Sequence, residues 1–213
     1  MATRVYGQYC GFARALEMVG ERWGLLIIRD LLVGPKRFSD LQRGLPKIPS
    51  NILTARLKEL EESGIVRRRA LPRPSGGIVY ELTDEGRGLE EAIIILGRWG
   101  AKHLGDPRPD EIVTGDSLAM ALRTIFRPDA AARDEIGFEL HVGEIVVNAQ
   151  VSNGTVAVGR GALPAANLVI ESGPGIRELL AREITPKEAL KSGVVRIRGQ
   201  RALLDRFVQL FRI

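Results

Sequence analysis

Apolar residues in the first part of the chain recur mostly at three- and four-residue intervals, the spacing of helices with one buried side. This spacing predicts three helices, over 12–20, 21–34 and 38–46. Gly34 and Pro35 end the second helix, and Pro46 ends the third because proline cannot continue a helix. We expect the apolar sides of these helices, including Phe12 on the first, to form a core.

A fourth helix is predicted within IPSNILTARLKELEESG, 48–64. Leu53, Leu57 and Leu60 lie within about 60° of one another around its axis and form the buried side. The other side carries Asn51, Thr54, Ala55 and Lys58. A small residue among an amide, a hydroxyl and an ammonium suits a helix that enters the major groove of DNA. The same residues would also suit an ordinary solvated helix face.

A basic β-hairpin is predicted directly after this helix. IVRRRAL and IVYELT are typical strands, and PRPSGG between them is a typical turn. Arg67, Arg68 and Arg69 lie on the first strand, and Arg73 lies near the tip. Short helices followed by a basic hairpin predict a winged helix-turn-helix. We expect Lys58 and the three consecutive arginines to share one exposed side.

The rest of the chain alternates strands and helices, which predicts an α+β fold with a mainly antiparallel sheet. Five strands are predicted, over 136–142, 144–151, 155–161, 167–172 and 194–199. Helices are predicted over 116–126, 176–185, 186–192 and 202–211. Proline, glycine and charged residues over 105–111 indicate a boundary. The predicted domains are therefore 1–105 and 111–213.

Charge is distributed unevenly over the 213 residues. Residues 1–105 hold 17 Lys and Arg against 12 Asp and Glu, whereas residues 106–213 hold 14 of each. The whole excess of +5 therefore lies in the first half, which favours a polyanionic partner there. The single cysteine excludes an internal disulfide, and neither a targeting segment nor a membrane span is evident. We expect a cytoplasmic protein.

The sequence does not contain the residues of a recognisable catalytic centre. Its two histidines, His103 and His141, lie far apart, and no phosphate-binding GxxxxGK[ST] loop or metal-ligand spacing occurs. We therefore predict no catalytic residues, no metal site and no cofactor.

The first half resembles the HxlR-type family of bacterial winged-helix regulators. The resemblance depends on YCGFARALEMVGERWGLLIIRDLLVGPKRFSDLQRGLP, IPSNILTARLKELEESGIVRRR and YELTDEG, in this order. It implies a homodimer that binds a palindromic operator in double-stranded DNA. It also implies that the N-terminal helix and the helix over 83–105 build the dimer. An apolar stripe on the latter consists of Leu89, Ala92, Ile93, Leu96 and Trp99.

These features together predict the DNA-binding residues. The candidates for contacts in the DNA groove are Ser50, Asn51, Thr54 and Lys58. The family often has Ser before Pro at the start of this helix, whereas this chain has Pro49 before Ser50. Ser50 can still cap the helix. Phosphate and minor-groove candidates are Arg67, Arg68, Arg69 and Arg73. Arg37 and Ser39 would bind phosphate at the N-terminus of the preceding short helix. Cys10 aligns with a cysteine that some members use as a redox sensor.

The second half is similar to sterol carrier protein type 2, chiefly over NLVIESGPGIRELLAREITPKEALKSGVVRIRGQRALLDRFVQLF. This similarity implies an apolar cavity that accepts a lipid or another hydrophobic ligand. The alternative is a filled core that only supports dimerisation. The predicted function is a dimeric transcription regulator, with a hydrophobic effector as one form of control. The alternative function is a lipid carrier whose winged helix serves protein contacts.

Overall fold

A computed structural model describes residues 5–105, 108–131 and 133–213. The chain forms two compact units, of which the first ends at Ile93 and the second begins at Ile94. This division falls ahead of the predicted boundary at 105–111, of which residues 106–107 lie outside the described residues. The domain limits 1–105 and 111–213 stay a prediction.

The first unit has the predicted order of helices followed by a hairpin. Its elements are α1 Gly11–Val19, α2 Gly24–Leu32, α3 Phe38–Gly44, α4 Ser50–Glu62, β1 Val66–Ala70, β2 Ile78–Leu82, α5 Asp84–Arg87 and the start of α6 Glu90–Ala101. Strands β1 and β2 pair antiparallel, with Arg67 opposite Glu81 and Arg69 opposite Val79. The predicted winged helix-turn-helix is confirmed.

The core of the first unit follows the predicted apolar stripes with one exception. Leu53, Leu57 and Leu60 of α4 are buried, as are Ile27 and Leu31 of α2. Phe12 is exposed, contrary to the expectation that it lies in the core. The buried residues of α1 are Ala13 and Val19.

The segment 83–105, predicted as one helix, is divided into α5 and α6. The hydroxyl of Thr83 accepts a hydrogen bond from the Gly86 amide at 3.1 Å and so caps α5. The same hydroxyl donates to the Gly64 carbonyl at 2.6 Å, which connects α5 to the start of the wing. The first turn is therefore held by the hairpin.

The second unit contains the predicted sheet and its helices. After α6 come α7 Gly115–Ile125, a 3₁₀ turn Pro128–Ala130, β3 Glu135–Val142, β4 Ile145–Ser152, β5 Thr155–Arg160, β6 Leu168–Ser172, α8 Ile176–Leu180, α9 Pro186–Ser192, β7 Val195–Gly199 and α10 Arg201–Leu210. The strand order is β5-β4-β3-β6-β7. Only the β3–β6 pair is parallel within this sheet, so the predicted mainly antiparallel arrangement is confirmed.

Aromatic rings fill the centre of the second unit. The ring of Phe138 on β3 lies 5.2 Å from that of Phe207 on α10 and 5.9 Å from that of Phe211. Phe126 lies 5.6 Å from Phe211, and all four side chains are buried. Such tilted contacts are favourable beyond the burial of apolar area. The strands and α10 are therefore held together by a ring cluster.

The close approach of α5 to the hairpin gives a stability prediction. A Cβ on Gly86 would lie 2.2 Å from the carbonyl oxygen of Ile65, so Gly86→Ala requires backbone movement. We expect this variant to lose about 1–3 kcal/mol of unfolding free energy in the first unit, measured by chemical denaturation. Gly11→Ala is the control, because a Cβ there meets no atom within 4 Å. Equal losses in both variants would contradict the steric explanation.

Candidate nucleic-acid interface

Helix α4 presents the predicted polar face to solvent. Asn51, Thr54 and Lys58 are exposed, whereas the leucines on the other side are buried. The Thr54 hydroxyl donates to the Ser50 carbonyl at 2.9 Å, and the Lys58 ammonium lies 3.6 Å from Glu62. Within the described part of the chain, the Asn51 amide has no hydrogen-bond partner, so it can bind an external group.

The expectation that Ser50 caps α4 is wrong. The helix begins at Ser50, so Pro49 occupies the N-cap position with an extended backbone. The Pro49 carbonyl accepts the amide of Leu53 at 2.9 Å, which is the first hydrogen bond of the helix. The φ of −64° at Pro49 suits this position. Ser50 is exposed, one residue before Asn51, and its contact with DNA stays a prediction.

The three consecutive arginines do not share one side of the wing, contrary to expectation. Side chains alternate along a strand, so Arg67 and Arg69 lie on one face of β1 and Arg68 lies on the other. Arg68 donates to Glu61 in the last turn of α4 at 2.7 Å. Glu61 is one helical turn from Lys58, so the structure brings Arg68 alone to the α4 side of the wing.

Arg67 and Arg69 share one carboxylate from the neighbouring strand. The Nε of Arg67 lies 2.9 Å from one oxygen of Glu81, and the Nε of Arg69 lies 2.7 Å from the other. The hydrogen bond from Arg69, followed by that from Arg67, holds the pKa of Glu81 below its ordinary value, although burial opposes this shift. The carboxylate is therefore charged and bound on both oxygens.

Arg37 holds the tip of the wing. Its guanidinium donates to the carbonyl oxygens of Ser75 and Gly76 at 2.9 and 2.8 Å. Close by, Lys36 and Tyr80 exchange two backbone hydrogen bonds of 2.9 and 2.7 Å. These contacts connect the wing to the loop before α3. Lys36, Glu61 and Glu81 also help to hold the wing, and the spacing of apolar residues carries no information about such polar contacts.

The N-terminus of α3 already has a negative partner. The Arg37 amide donates to the Asp40 carboxylate at 3.1 Å, and Arg43 also contacts this carboxylate. Burial has the largest single effect on the pKa of Asp40 and raises it, but the Arg37 amide, Arg43 and Lys36 together outweigh burial, so the pKa is lowered overall. Ser39 is exposed beside this carboxylate. The predicted phosphate contacts of Arg37 and Ser39 would have to form next to Asp40.

Arg73 differs from the other arginines of the wing. It is exposed in the turn between β1 and β2. Across residues 5–105, 108–131 and 133–213, it has no ion-pair or hydrogen-bond partner. Its full charge and all of its donors are therefore available to an external anion.

Cys10 precedes α1 and is exposed. The backbone amide of Ala13, followed by that of Phe12, favours the thiolate and lowers the pKa of Cys10. The thiolate is the nucleophilic form of cysteine, so this position favours reaction with electrophiles.

The core of the second unit bears on the predicted apolar ligand cavity. The ring cluster and the buried Leu179 and Leu204 occupy the space between strands and helices. An open depression of about 570 Å³ in the same unit is lined by Gly115, Glu144, Ile145, Val146, Arg160 and Gly161. The packing favours the alternative of a filled core.

The His141 side chain on β3 contacts a carboxylate of the same strand. Its Nε2 lies 2.6 Å from Glu139, whose other oxygen accepts the Leu163 amide at 2.7 Å. The imidazole of His141 lowers the pKa of Glu139. The described residues contain no group of three or more His, Cys, Asp or Glu side chains able to hold a metal ion. No described helix has the length and apolar character needed to cross a membrane.

Comparisons with known proteins agree with the geometry of the first unit. The profile of the HxlR-like helix-turn-helix family matches residues 18–107. The chain is 36% identical over 96 residues to YvaP of Bacillus subtilis, an uncharacterised HTH-type transcriptional regulator. This match covers 45% of the chain and 88% of YvaP. The chain belongs to the HxlR-like helix-turn-helix family.

Other HxlR-like matches also extend over about half of the chain. Rv3095 of Mycobacterium tuberculosis, another uncharacterised HTH-type transcriptional regulator, is 42% identical over 110 residues, covering 52% of this chain and 66% of Rv3095. The crystal structure of ytcD, a protein of Bacillus subtilis, is 36% identical. It covers 44% of this chain and 96% of ytcD, with a TM-score of 0.41.

The environment of Cys10 gives a pH prediction. A lowered pKa means that the folded protein forms thiolate at lower pH than the denatured chain does. We expect the pH profile of Cys10 alkylation by iodoacetamide to lie at lower pH in the folded protein. The denatured chain is the reference, and the single cysteine makes the site of reaction unambiguous. Coincident profiles would contradict this assignment.

Proposed function

We propose that the chain acts in the cytoplasm as a homodimeric transcription regulator that binds operator DNA through its winged helix. The observation that supports this most directly is the exposed face of α4, where Asn51, Thr54 and Lys58 lie opposite the buried leucines. An α-helix fits the major groove and can read base edges there. Membership of the HxlR-like family supports the same function.

The polar residues of α4 would make different kinds of contact with DNA. The unpaired Asn51 amide provides both donors and an acceptor, which is the combination that recognises adenine. Lys58 is an exposed cation that neutralises phosphate. Thr54 and Ser50 lie beside Asn51 and would contact the edges of the groove.

The wing would bind the DNA backbone on its exposed surfaces. Arg73 at the tip is the strongest candidate, because no carboxylate of the described chain neutralises it. Arg68 lies next to α4, whereas Arg67 and Arg69 lie on the opposite face of β1. The wing therefore offers separate cationic positions. Arg37, whose guanidinium contacts the tip of the wing, and Ser39 would contribute further contacts.

Dimerisation would cover the apolar side of α6. Ile95, Leu96 and Trp99 are exposed by 58%, 51% and 61% on this helix. Large apolar side chains clustered on one exposed helix are typical of an interaction surface. A second copy of the chain is the proposed partner, because two copies of α4 would then read the two halves of a palindrome.

We further propose that the second unit has the sterol carrier protein type 2 fold. The five-stranded order β5-β4-β3-β6-β7 and the capped helix α9 support this assignment. Because packed phenylalanine rings occupy its core, we favour a role for the second unit in supporting the dimer over a role in binding a hydrophobic effector. Equilibrium binding of a fluorescent fatty acid tests this preference, and saturable binding would contradict it. Such binding without any DNA affinity would favour the lipid-carrier alternative.

DNA binding gives a matched pair of predictions. We expect Asn51→Ala to cost about 1–3 kcal/mol on a duplex selected from a random library and little on a scrambled duplex. Arg73→Gln should weaken binding to both duplexes and reduce the salt slope by about one. Fluorescence anisotropy across a salt series measures both effects. Equal losses for Asn51→Ala on the two duplexes would contradict its role in sequence recognition.

The oligomeric state gives a separate prediction. Leu96→Asp places a charge in the apolar side of α6, so we expect the dimer to dissociate into monomers in sedimentation velocity. Ala121→Asp adds the same charge at an exposed position of α7 and should leave the dimer intact. A wild-type chain that sediments as a monomer would reject the proposed interface.

A further inference from the structure

The wing contains a carboxylate that the proposed contacts with DNA do not use. Glu81 on β2 has a side chain only 8% exposed, yet both of its partners are exposed. The side chains of Arg67 and Arg69 are 64% and 44% exposed. A buried acid therefore lies beneath two exposed guanidinium groups.

The hydrogen bonds to Glu81 use one nitrogen of each arginine. Each guanidinium uses its Nε atom for the carboxylate, at 2.9 Å for Arg67 and 2.7 Å for Arg69. A guanidinium carries five N–H donors in a planar arrangement, so the Nη groups remain for other acceptors. Glu81 thus orients the two groups without occupying their outer edges.

We propose that Glu81 is a positioning residue that holds Arg67 and Arg69 as a fixed pair of guanidinium groups and makes the wing selective for DNA shape. This proposal rests on the proposed DNA-binding function. Free arginines adjust to many phosphate spacings, whereas a fixed pair favours a duplex whose groove width matches its own spacing. Glu81 would therefore contribute more to preference among duplexes than to total affinity.

The net charge of Arg67, Arg69 and Glu81 supports a role in preference among duplexes over one in total affinity. Two guanidinium groups and one carboxylate carry a net charge of +1, so Glu81 reduces the general attraction to any polyanion. Arg68 provides an internal comparison, because it pairs with Glu61 at 2.7 Å on the other face of the wing. That pair contains one guanidinium and has no second group whose spacing could be fixed.

The central experiment uses the full-length chain and two duplexes. One duplex is selected by the wild-type protein from a random library, and the other is its scrambled version. We expect Glu81→Gln to bind the scrambled duplex more tightly and with a salt slope steeper by about one, because one negative charge is lost. Its preference for the selected duplex should fall roughly tenfold, because the pair is no longer fixed.

Glu61→Gln is the matched control, since it removes the same charge from the opposite face. It should steepen the salt slope similarly but retain the preference for the selected duplex. Equal losses of preference in the two variants would show that Glu81 acts through charge alone and would overturn the proposal. Parallel losses of affinity on both duplexes in Glu81→Gln would assign it a purely structural role and would also overturn it.

A second variant covers the case in which Glu81→Gln fails to fold. The double variant Arg67→Lys with Arg69→Lys keeps Glu81 and every charge but removes the planar guanidinium groups. Its salt slope should equal that of the wild type, and its preference should fall. An unchanged preference would reject the role of Glu81. If the wild-type chain enriches no duplex from the library, the proposed DNA-binding function itself is rejected.

Discussion

Burial of one side of α4 is the constraint on which the candidate interface depends. Leu53, Leu57 and Leu60 are each at most 2% exposed, so the rotation of the helix about its axis is set by the core. Rotation by one residue would place a leucine in water and a polar side chain in the core, which is costly. The polar residues of α4 therefore face outward because the leucines face inward.

The wing depends on a second constraint, which is electrostatic. Its arginines lie on alternating faces of β1, and the protein provides Glu61 on one face and Glu81 on the other. Exposed ion pairs contribute little to stability, so their main consequence here is the placement of charge. Only Arg73 at the tip lacks such a partner among the described residues. The wing is thus less cationic locally than three consecutive arginines suggest.

The core of the second unit is built around four phenylalanine rings. Phe126, Phe138, Phe207 and Phe211 meet between the strands and the last helix. These rings form a buried cluster in the core, whereas Ile95, Leu96 and Trp99 of α6 are exposed. The exposed apolar side chains of α6 suit the proposed association between chains.

Local patterns in the sequence determined the helices, the hairpin, the sheet strands and the outward face of α4, because apolar spacing reports which side of an element is buried. The capping box at Thr185 and the left-handed Gly193 that ends α9 likewise depend on local residues. Strand alternation within the predicted β1 already separates Arg68 from Arg67 and Arg69. Only the tertiary structure showed which carboxylate each of these arginines contacts and that Arg37 holds the wing. Those contacts depend on carboxylates and carbonyl groups that lie far away in the sequence and are brought close by folding. The spacing of residues within one segment contains no information about such distant partners.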